Sequence, residues 1–180
     1  MVQAGWCDDS VFGAAGDDVI YGDAGDDTLD VGDGSDTYHT GGVADGEWYE
    51  WQGNDTYHDT GATGTDRIVV SASGDADVGI GDFVASVIEV IDGTGTAGTG
   101  SLLGDWTDQT WDFRQTSFVG GNFVIDAAGG DDTVFGSMGA DTIVNSQGDD
   151  SFDGYGGGDT YHVTGNLAGG WSSFQGYDSY

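Results

Sequence analysis

The sequence predicts an all-β chain wound as a parallel solenoid. Three observations predict it: a nine-residue beat with an acid at its sixth position and an apolar residue at its eighth, a 123-residue repeat laid over that beat, and a composition hostile to helix. Of 180 residues, 36 are Gly, none is Pro or Lys, and 33 acids face only two bases, Arg67 and Arg114. The acids are almost all Asp, since Glu occurs only at Glu47, Glu50 and Glu89. Gly-rich, Asp-rich segments without Lys do not build ordinary helices. A formal charge of −31 excludes nucleic acid as a partner, because phosphate binding needs a basic footprint. So much like charge also opposes collapse at neutral pH, so the chain needs something to neutralise its acids.

Residues 1–58 form the first element, a roll of short rungs. A degenerate copy holds Asp8-Asp9-Ser10-Val11-Phe12, and fuller nonapeptides run from Gly13 to Tyr21, Gly22 to Asp30 and Val31 to His39. Their sixth positions are Asp9, Asp18, Asp27 and Asp36, and their eighth positions Val11, Ile20, Leu29 and Tyr38. Each nonapeptide supplies a turn and a strand of about three residues with one inward side chain, so two make a coil of about 18 residues and alternate copies stack. The next match, Gly53-Asn54-Asp55-Thr56-Tyr57, lies one residue too far along, and a single-residue bulge is expected to bring Asp55 over Asp36.

Residues 59–126 lose the beat but keep short β-type stretches, among them Ile68-Val69-Val70, Val87 to Ile91 and Phe123-Val124-Ile125, separated by Gly, Thr and Ser. They are expected to continue the same solenoid as wider rungs. Gly61 to Val69 fits the nonapeptide with Asp66 at its sixth position, although Arg67 stands beside the acid. Residues 127–180 form a second roll. Shifting residues 6–57 by 123 lands them on 129–180 without a gap, with 24 of 52 positions identical. Its sixth positions are Asp132, Asp141, Asp150 and Asp159, its inward ladder Val134, Ile143, Phe152, Tyr161 and Tyr180, and Asp178 is expected over Asp159.

The spacing suits a divalent cation. Stacked strands lie about 4.7–4.9 Å apart and Ca²⁺ takes oxygens at about 2.3–2.6 Å, so an ion midway between turns reaches a carboxylate from each. The expected pairs are Asp9 with Asp27, Asp18 with Asp36, Asp132 with Asp150 and Asp141 with Asp159. Short Asp fits a gap that Glu would overshoot. Backbone carbonyls would complete the shell, exposed at Gly13, Gly16, Gly25, Gly34, Gly136, Gly139, Gly148 and Gly157, where Gly lets the chain curl around the ion.

In tandem these runs resemble the hemolysin-type calcium-binding repeats of the repeats-in-toxin (RTX) family, Gly-Gly-x-Gly-x-Asp-x-apolar-x. The resemblance covers residues 4–58 and 127–180 and is weak between them. It implies a right-handed parallel β-roll that is disordered without Ca²⁺ and folds on several ions outside the cell after type I secretion. It implies as ligands the turn carbonyls and the Asp side chains at 9, 18, 27, 36, 132, 141, 150 and 159. The chain departs from the pattern at Ala14, Asp23, Val31, Ser137 and Asn145, which bears on individual sites more than on the fold.

Other candidates carry less. Gly93-Thr94-Gly95-Thr96-Ala97-Gly98 matches a dinucleotide fingerprint, but no helix signal follows it, and a solenoid turn accounts for it better. His39, His58 and His162 follow inward tyrosines and lack zinc spacing. Asn54-Asp55-Thr56 is a glycosylation sequon inside an expected calcium turn. Trp48, Trp51, Trp106, Trp111, Trp171 and Phe174 read mainly as aromatic filling of wide rungs, with sugar stacking or self-association as alternatives. Cys7 has no disulfide partner, the N-terminus lacks the features of a signal peptide, and no apolar run reaches the roughly 20 residues of a membrane span. No catalytic constellation is present, so an enzyme is not expected. The expected role is an extracellular calcium-binding structural protein that self-associates head-to-tail through uncapped solenoid ends into a filament or surface layer. The alternative is an adhesin segment or polysaccharide-binding module of a larger secreted protein, with a glycan as partner.

Overall fold

In a computed structural model, described for residues 1–41, 53–72, 76–81, 83, 88–145, 148–163 and 173–175, the chain is an all-strand parallel β-solenoid with no helix among these residues. The short rungs of the first roll are β1 (Val2–Gly5), β2 (Ser10–Phe12), β3 (Val19–Asp23), β4 (Thr28–Asp30), β5 (Thr37–Gly41) and β6 (Asn54–His58). Then come β7 (Arg67–Ala72), β8 (Ala76–Ile80), β9 (Val90–Thr96), β10 (Thr99–Leu103), β11 (Thr110–Asp112), β12 (Ser117–Val119) and β13 (Asn122–Asp126). The chain closes on β14 (Thr133–Phe135), β15 (Thr142–Asn145), β16 (Ser151–Asp153), β17 (Thr160–Val163) and β18 (Ser173–Gln175).

The strands form three parallel walls. A six-stranded sheet runs β1-β3-β5-β7-β9-β12, an eight-stranded sheet β2-β4-β6-β8-β10-β13-β15-β17, and a four-stranded sheet β11-β14-β16-β18. Two walls enclose the first roll, three the middle and two the second roll, the eight-stranded sheet being common to all. Hydrogen-bonded neighbours lie one coil apart in the chain, so among the described residues no two are sequential and no hairpin forms.

Period-two alternation decides what points inward. Val11 stacks on Leu29 and Leu29 on Tyr57; Ile20 stacks on Tyr38, Tyr38 on Ile68 and Ile68 on Ile91. In the second roll Val134 stacks on Phe152, and Ile125, Ile143 and Tyr161 follow one another. All of these are buried. Tyr180 lies outside the described residues. The three-walled middle has a wider interior, filled by fully buried Phe83, Trp111 and Phe113 with ring centroids 4.8–6.0 Å apart. Trp111 therefore fills the rungs as expected, and its indole N–H donates to the Gly81 carbonyl at 2.6 Å. Trp106 is instead 78% exposed. Trp48, Trp51, Trp171 and the Phe174 side chain lie outside what is described.

The structure corrects one stacking expectation. Asp55 does not sit over Asp36. β6 pairs with β4, which brings Asp55 over Asp27, 28 residues away. Asp36 is covered by Asp66, 30 residues on, because β5 pairs with β7. The pairing of β6 with β4, and not a single-residue bulge, sets where Asp55 falls. Asp178 lies outside the described residues.

Candidate metal centre

The turns show why the motif needs its glycines. At its fourth position, Gly16, Gly25, Gly34, Gly53, Gly64, Gly130, Gly148 and Gly157 hold φ between 91° and 155°, a region costly for side-chain-bearing residues. Most of them also face a backbone from the preceding coil. A β-carbon on Gly34 would stand 2.5 Å from the Gly16 carbonyl oxygen, one on Gly25 2.6 Å from the Cys7 carbonyl carbon, and one on Gly148 would overlap the Gly130 carbonyl. Turn carbonyls are thus aimed into the next turn. The first-position glycine answers to its own acid, since a β-carbon on Gly13 would meet Asp18 Oδ2 at 3.1 Å, on Gly22 Asp27 Oδ2 at 3.1 Å, and on Gly136 Asp141 Oδ2 at 2.8 Å. Second positions also take positive φ, and Ala14, Asp23 and Tyr155 hold it at 84°, 67° and 66° without being glycine.

The sixth-position carboxylates form a rail along each edge. The backbone N–H of Asp9 donates to Asp27 Oδ1 at 2.8 Å, that of Asp27 to Asp55 at 3.1 Å, that of Asp18 to Asp36 at 2.6 Å and that of Asp36 to Asp66 at 2.8 Å. In the second roll Asp132 donates to Asp150 and Asp141 to Asp159, both at 3.0 Å. All four pairs expected from the spacing are therefore stacked. Fifth-position acids form an exposed rail that points the other way: Asp8 accepts from Asp26, Asp17 from Ser35, and Asp131 from Asp149.

Asp27, Asp36, Asp55, Asp66, Asp132, Asp150 and Asp159 each spend one oxygen on the rail. Asp27 Oδ2 and Asp36 Oδ2 are buried without a hydrogen-bond partner, an arrangement that is costly for an ionised group. Burial is accordingly the leading influence on their acidity. It raises Asp27, Asp36 and Asp150 above the ordinary carboxylate range, Asp66, Asp132 and Asp141 to about 6, and Asp55 to about 7, opposed by the rail hydrogen bond, or at Asp141 by the bonds from Ser137, and reinforced by neighbouring acids. A site that buries negative oxygens beside carbonyl dipoles fits a hard, oxygen-seeking cation. Among the described residues no three acid, His or Cys side chains converge on one point, so such an ion fits only with carbonyls among its ligands.

The structure also brings in residues outside the expected set. Asp66, despite Arg67, takes a full place on the rail, and Arg67 turns away to Asp92 at 3.6 Å. Glu89 extends that rail, its Oε2 accepting from the Asp66 N–H at 2.7 Å. Gln109 occupies the sixth position under Asp132, donating its backbone N–H to Asp132 Oδ1 and its amide to Asp105. At Asp141 the expected site is altered. Ser137, in place of glycine, donates its N–H to Asp141 Oδ2 at 2.7 Å and its hydroxyl to Asp141 Oδ1 at 3.0 Å, and Gly139 has none of the positive φ of the other turns. Gly93 to Thr96 lie within extended β9, and the Phe123 ring covers Gly93, so the apparent dinucleotide motif is a packed strand.

The RTX calcium-binding nonapeptide repeat matches the chain in four copies, over residues 4–38 and 120–143. The chain carries RTX repeats. No curated protein and no solved structure matches it. RTX repeats bind calcium and are structural elements, not catalytic ones, and the parallel rolls described above are what they build here. No helix among the described residues is long and apolar enough to cross a membrane.

Proposed function

We propose that this RTX chain is an extracellular structural protein whose folding is set by calcium. Residues 1–58 and 127–180 would be the calcium-holding rolls and 59–126 the wider joint of one continuous solenoid. The observation that supports this reading best is the pair of buried carboxylate oxygens without partners, Asp27 Oδ2 and Asp36 Oδ2. Asp9, Asp18, Asp27, Asp36, Asp55, Asp66, Asp132, Asp150 and Asp159 would hold the ions together with carbonyls of the glycine turns. Calcium, when bound, supplies positive charge that neutralises stacked carboxylates and joins one coil to the next. The rails orient each carboxylate, the positive-φ glycines let carbonyls approach, and the inward ladder excludes water once the coils close. Binding free energy then becomes folding free energy. A chain kept unfolded at low calcium suits type I export and folding outside the cell.

Head-to-tail self-association extends the proposal. β1, β2, β17 and β18 each have one edge without a strand among the described residues, and such edges invite further strands. Circular dichroism during a calcium titration, followed by light scattering and electron microscopy, tests both parts. A coil-to-β transition with calcium and growth into filaments or sheets is expected. A β spectrum unchanged by chelation refutes the folding mechanism, and monomers alone at high concentration refute the assembly. A second reading, an adhesin or polysaccharide-binding module, is favoured by exposed aromatics such as Trp106.

A further inference from the structure

The six-stranded wall stops at β12, in mid-chain, because the following coil returns to two walls. Above its free edge lies a groove of about 470 Å³, between β12 with the start of β13 and the turn that carries Met138. Phe118 and Phe123 line it with ring centroids 5.5 Å apart, Met138, 70% exposed, forms the facing side, and Ser117, Asn122 and Thr142 supply hydroxyls and an amide. None of its eleven lining residues is charged, in a chain of formal charge −31. The one acid in the facing turn, Asp141, is buried, and Ser137 holds it away from the groove through both its N–H and its hydroxyl. The aromatic side is fixed in advance. Phe118 packs on Phe113 at 5.4 Å, and Phe123 rests on Gly93 and Gly100, where a β-carbon would stand 2.6 and 2.7 Å from its ring.

We propose that this groove binds a neutral saccharide. The inference deepens the second reading above and rests on the calcium-folded state. No lining side chain can pair with an ion, which disfavours cations, uronates and sulfated sugars. An extended peptide would gain little, because β12 offers three residues of edge against a usual strand of about five or six. A sugar uses what is present: its C–H face lies on the aromatic rings, and its hydroxyls exchange hydrogen bonds with Ser, Thr and Asn. The volume falls within the roughly 300–1,000 Å³ of small-molecule sites. Pre-set rings lower the ordering cost of binding.

The test is isothermal titration of the full chain with calcium against neutral hexasaccharides, namely maltohexaose, cellohexaose, laminarihexaose and mannohexaose, with oligogalacturonate and an apolar extended peptide as controls. Asn122→Asp and Met138→Asp place a carboxylate at exposed positions of the groove, and their circular dichroism with calcium is read first, so that failure to fold is distinguished from failure to bind. Saturable binding of at least one neutral sugar is expected, weakened at least ~10-fold in both variants. The proposal is overturned if no neutral hexasaccharide binds up to concentrations on the order of 10 mM. It is equally overturned if binding survives both substitutions, or if only the anionic sugar or the peptide binds.

Discussion

Acid is expected to do part of the work of calcium. The folded chain holds Asp55 at about 7, and Asp66, Asp132 and Asp141 at about 6, all above their ordinary value of 3.8. A carboxyl raised in the fold is favoured there in its neutral form. Its contribution to stability is therefore present below about pH 4 and lost as pH rises through 6 and 7. Asp55 moves from 3.8 to about 7, and at about 1.4 kcal/mol per pH unit its ionisation alone withdraws roughly 4 kcal/mol from the metal-free fold. Domains have in total about 5–15 kcal/mol to lose, and the other three carboxyls act in the same direction. Protein stripped of metal on a chelating resin should thus be disordered near pH 7.5 and gain β signal between about pH 7 and 5. The titration stops there because the sequence pI is about 4.1 and uncharged protein precipitates. Far-UV circular dichroism with small-angle scattering follows the change, and calcium near pH 7.5 provides the folded reference. Asp55→Asn should shift the acid transition to higher pH, since the neutral amide never ionises and the penalty of burying this charge is gone. A metal-free spectrum that stays flat over this range, or loses β content on acidification, refutes the claim that buried carboxylates oppose the metal-free fold.

Paired glycine variants separate backbone conformation from stacking. Gly16→Ala should cost about 1–2 kcal/mol for its φ of 107° with nothing within 4 Å, whereas Gly148→Ala, which also meets the Gly130 carbonyl, should cost about 3 kcal/mol or more; equal shifts in thermal melts with calcium would contradict the close approach of turn carbonyls. The two rails should differ as well: Asp27→Ala should raise the calcium needed for folding by at least ~10-fold, while Asp26→Ala, on the exposed rail, should change it by no more than about twofold. Calcium titrations followed by circular dichroism compare them, and equal effects would remove the distinction between the rails. Ser137→Gly should lower metal-free stability near pH 5 by roughly 1–2 kcal/mol, because Asp141 loses its hydroxyl donor, yet move the calcium midpoint to lower concentration. Melts with and without calcium that shift in the same direction would argue against Ser137 competing with the metal.

Much of the first roll was legible because a nine-residue beat encodes stacking directly. Once Val11, Ile20, Leu29 and Tyr38 point inward, Asp9 must fall under Asp27 and Asp18 under Asp36, and the hydrogen bonds of the rails follow. The beat ceases to inform where a coil is not two nonapeptides. Counting along the chain places Asp55 on the wrong edge because it treats the extra residues as a local bulge, whereas strand register is decided by which inward side chain meets which. Tyr57 stacks on Leu29, and Asp55 follows it. Asp66 fitted the motif, and the charge of Arg67 spoke against it only while both side chains were assumed to share a face; they alternate across the strand, so Arg67 reaches outward to Asp92. Ser137 and Gln109 were beyond pattern reading because each acts through a hydrogen bond to an acid four residues away, and the motif reserves no place for one.

The 123-residue repeat gives equivalent segments different places in the molecule. β2 and β4 belong to the eight-stranded wall, while their counterparts β14 and β16 belong to the four-stranded one; β3 and β5 lie in the six-stranded wall, while β15 and β17 lie in the eight-stranded one. A shift of one period therefore moves the roll sideways by one wall, using the shared sheet first as one face and then as the other. Such a transfer cannot occur within two-walled coils, because a new wall must begin before an old one ends. The bridge of Phe83 to Trp111 starts the third wall, and β12 ends the first. Between them the interior widens, and aromatic side chains of the largest volume occupy it. The loss of the nonapeptide beat over residues 59–126 is thus the sequence counterpart of the hand-over: coils of 23 residues, as from Asp66 to Glu89 and from Gln109 to Asp132, hold a third wall that two nonapeptides are too short to supply.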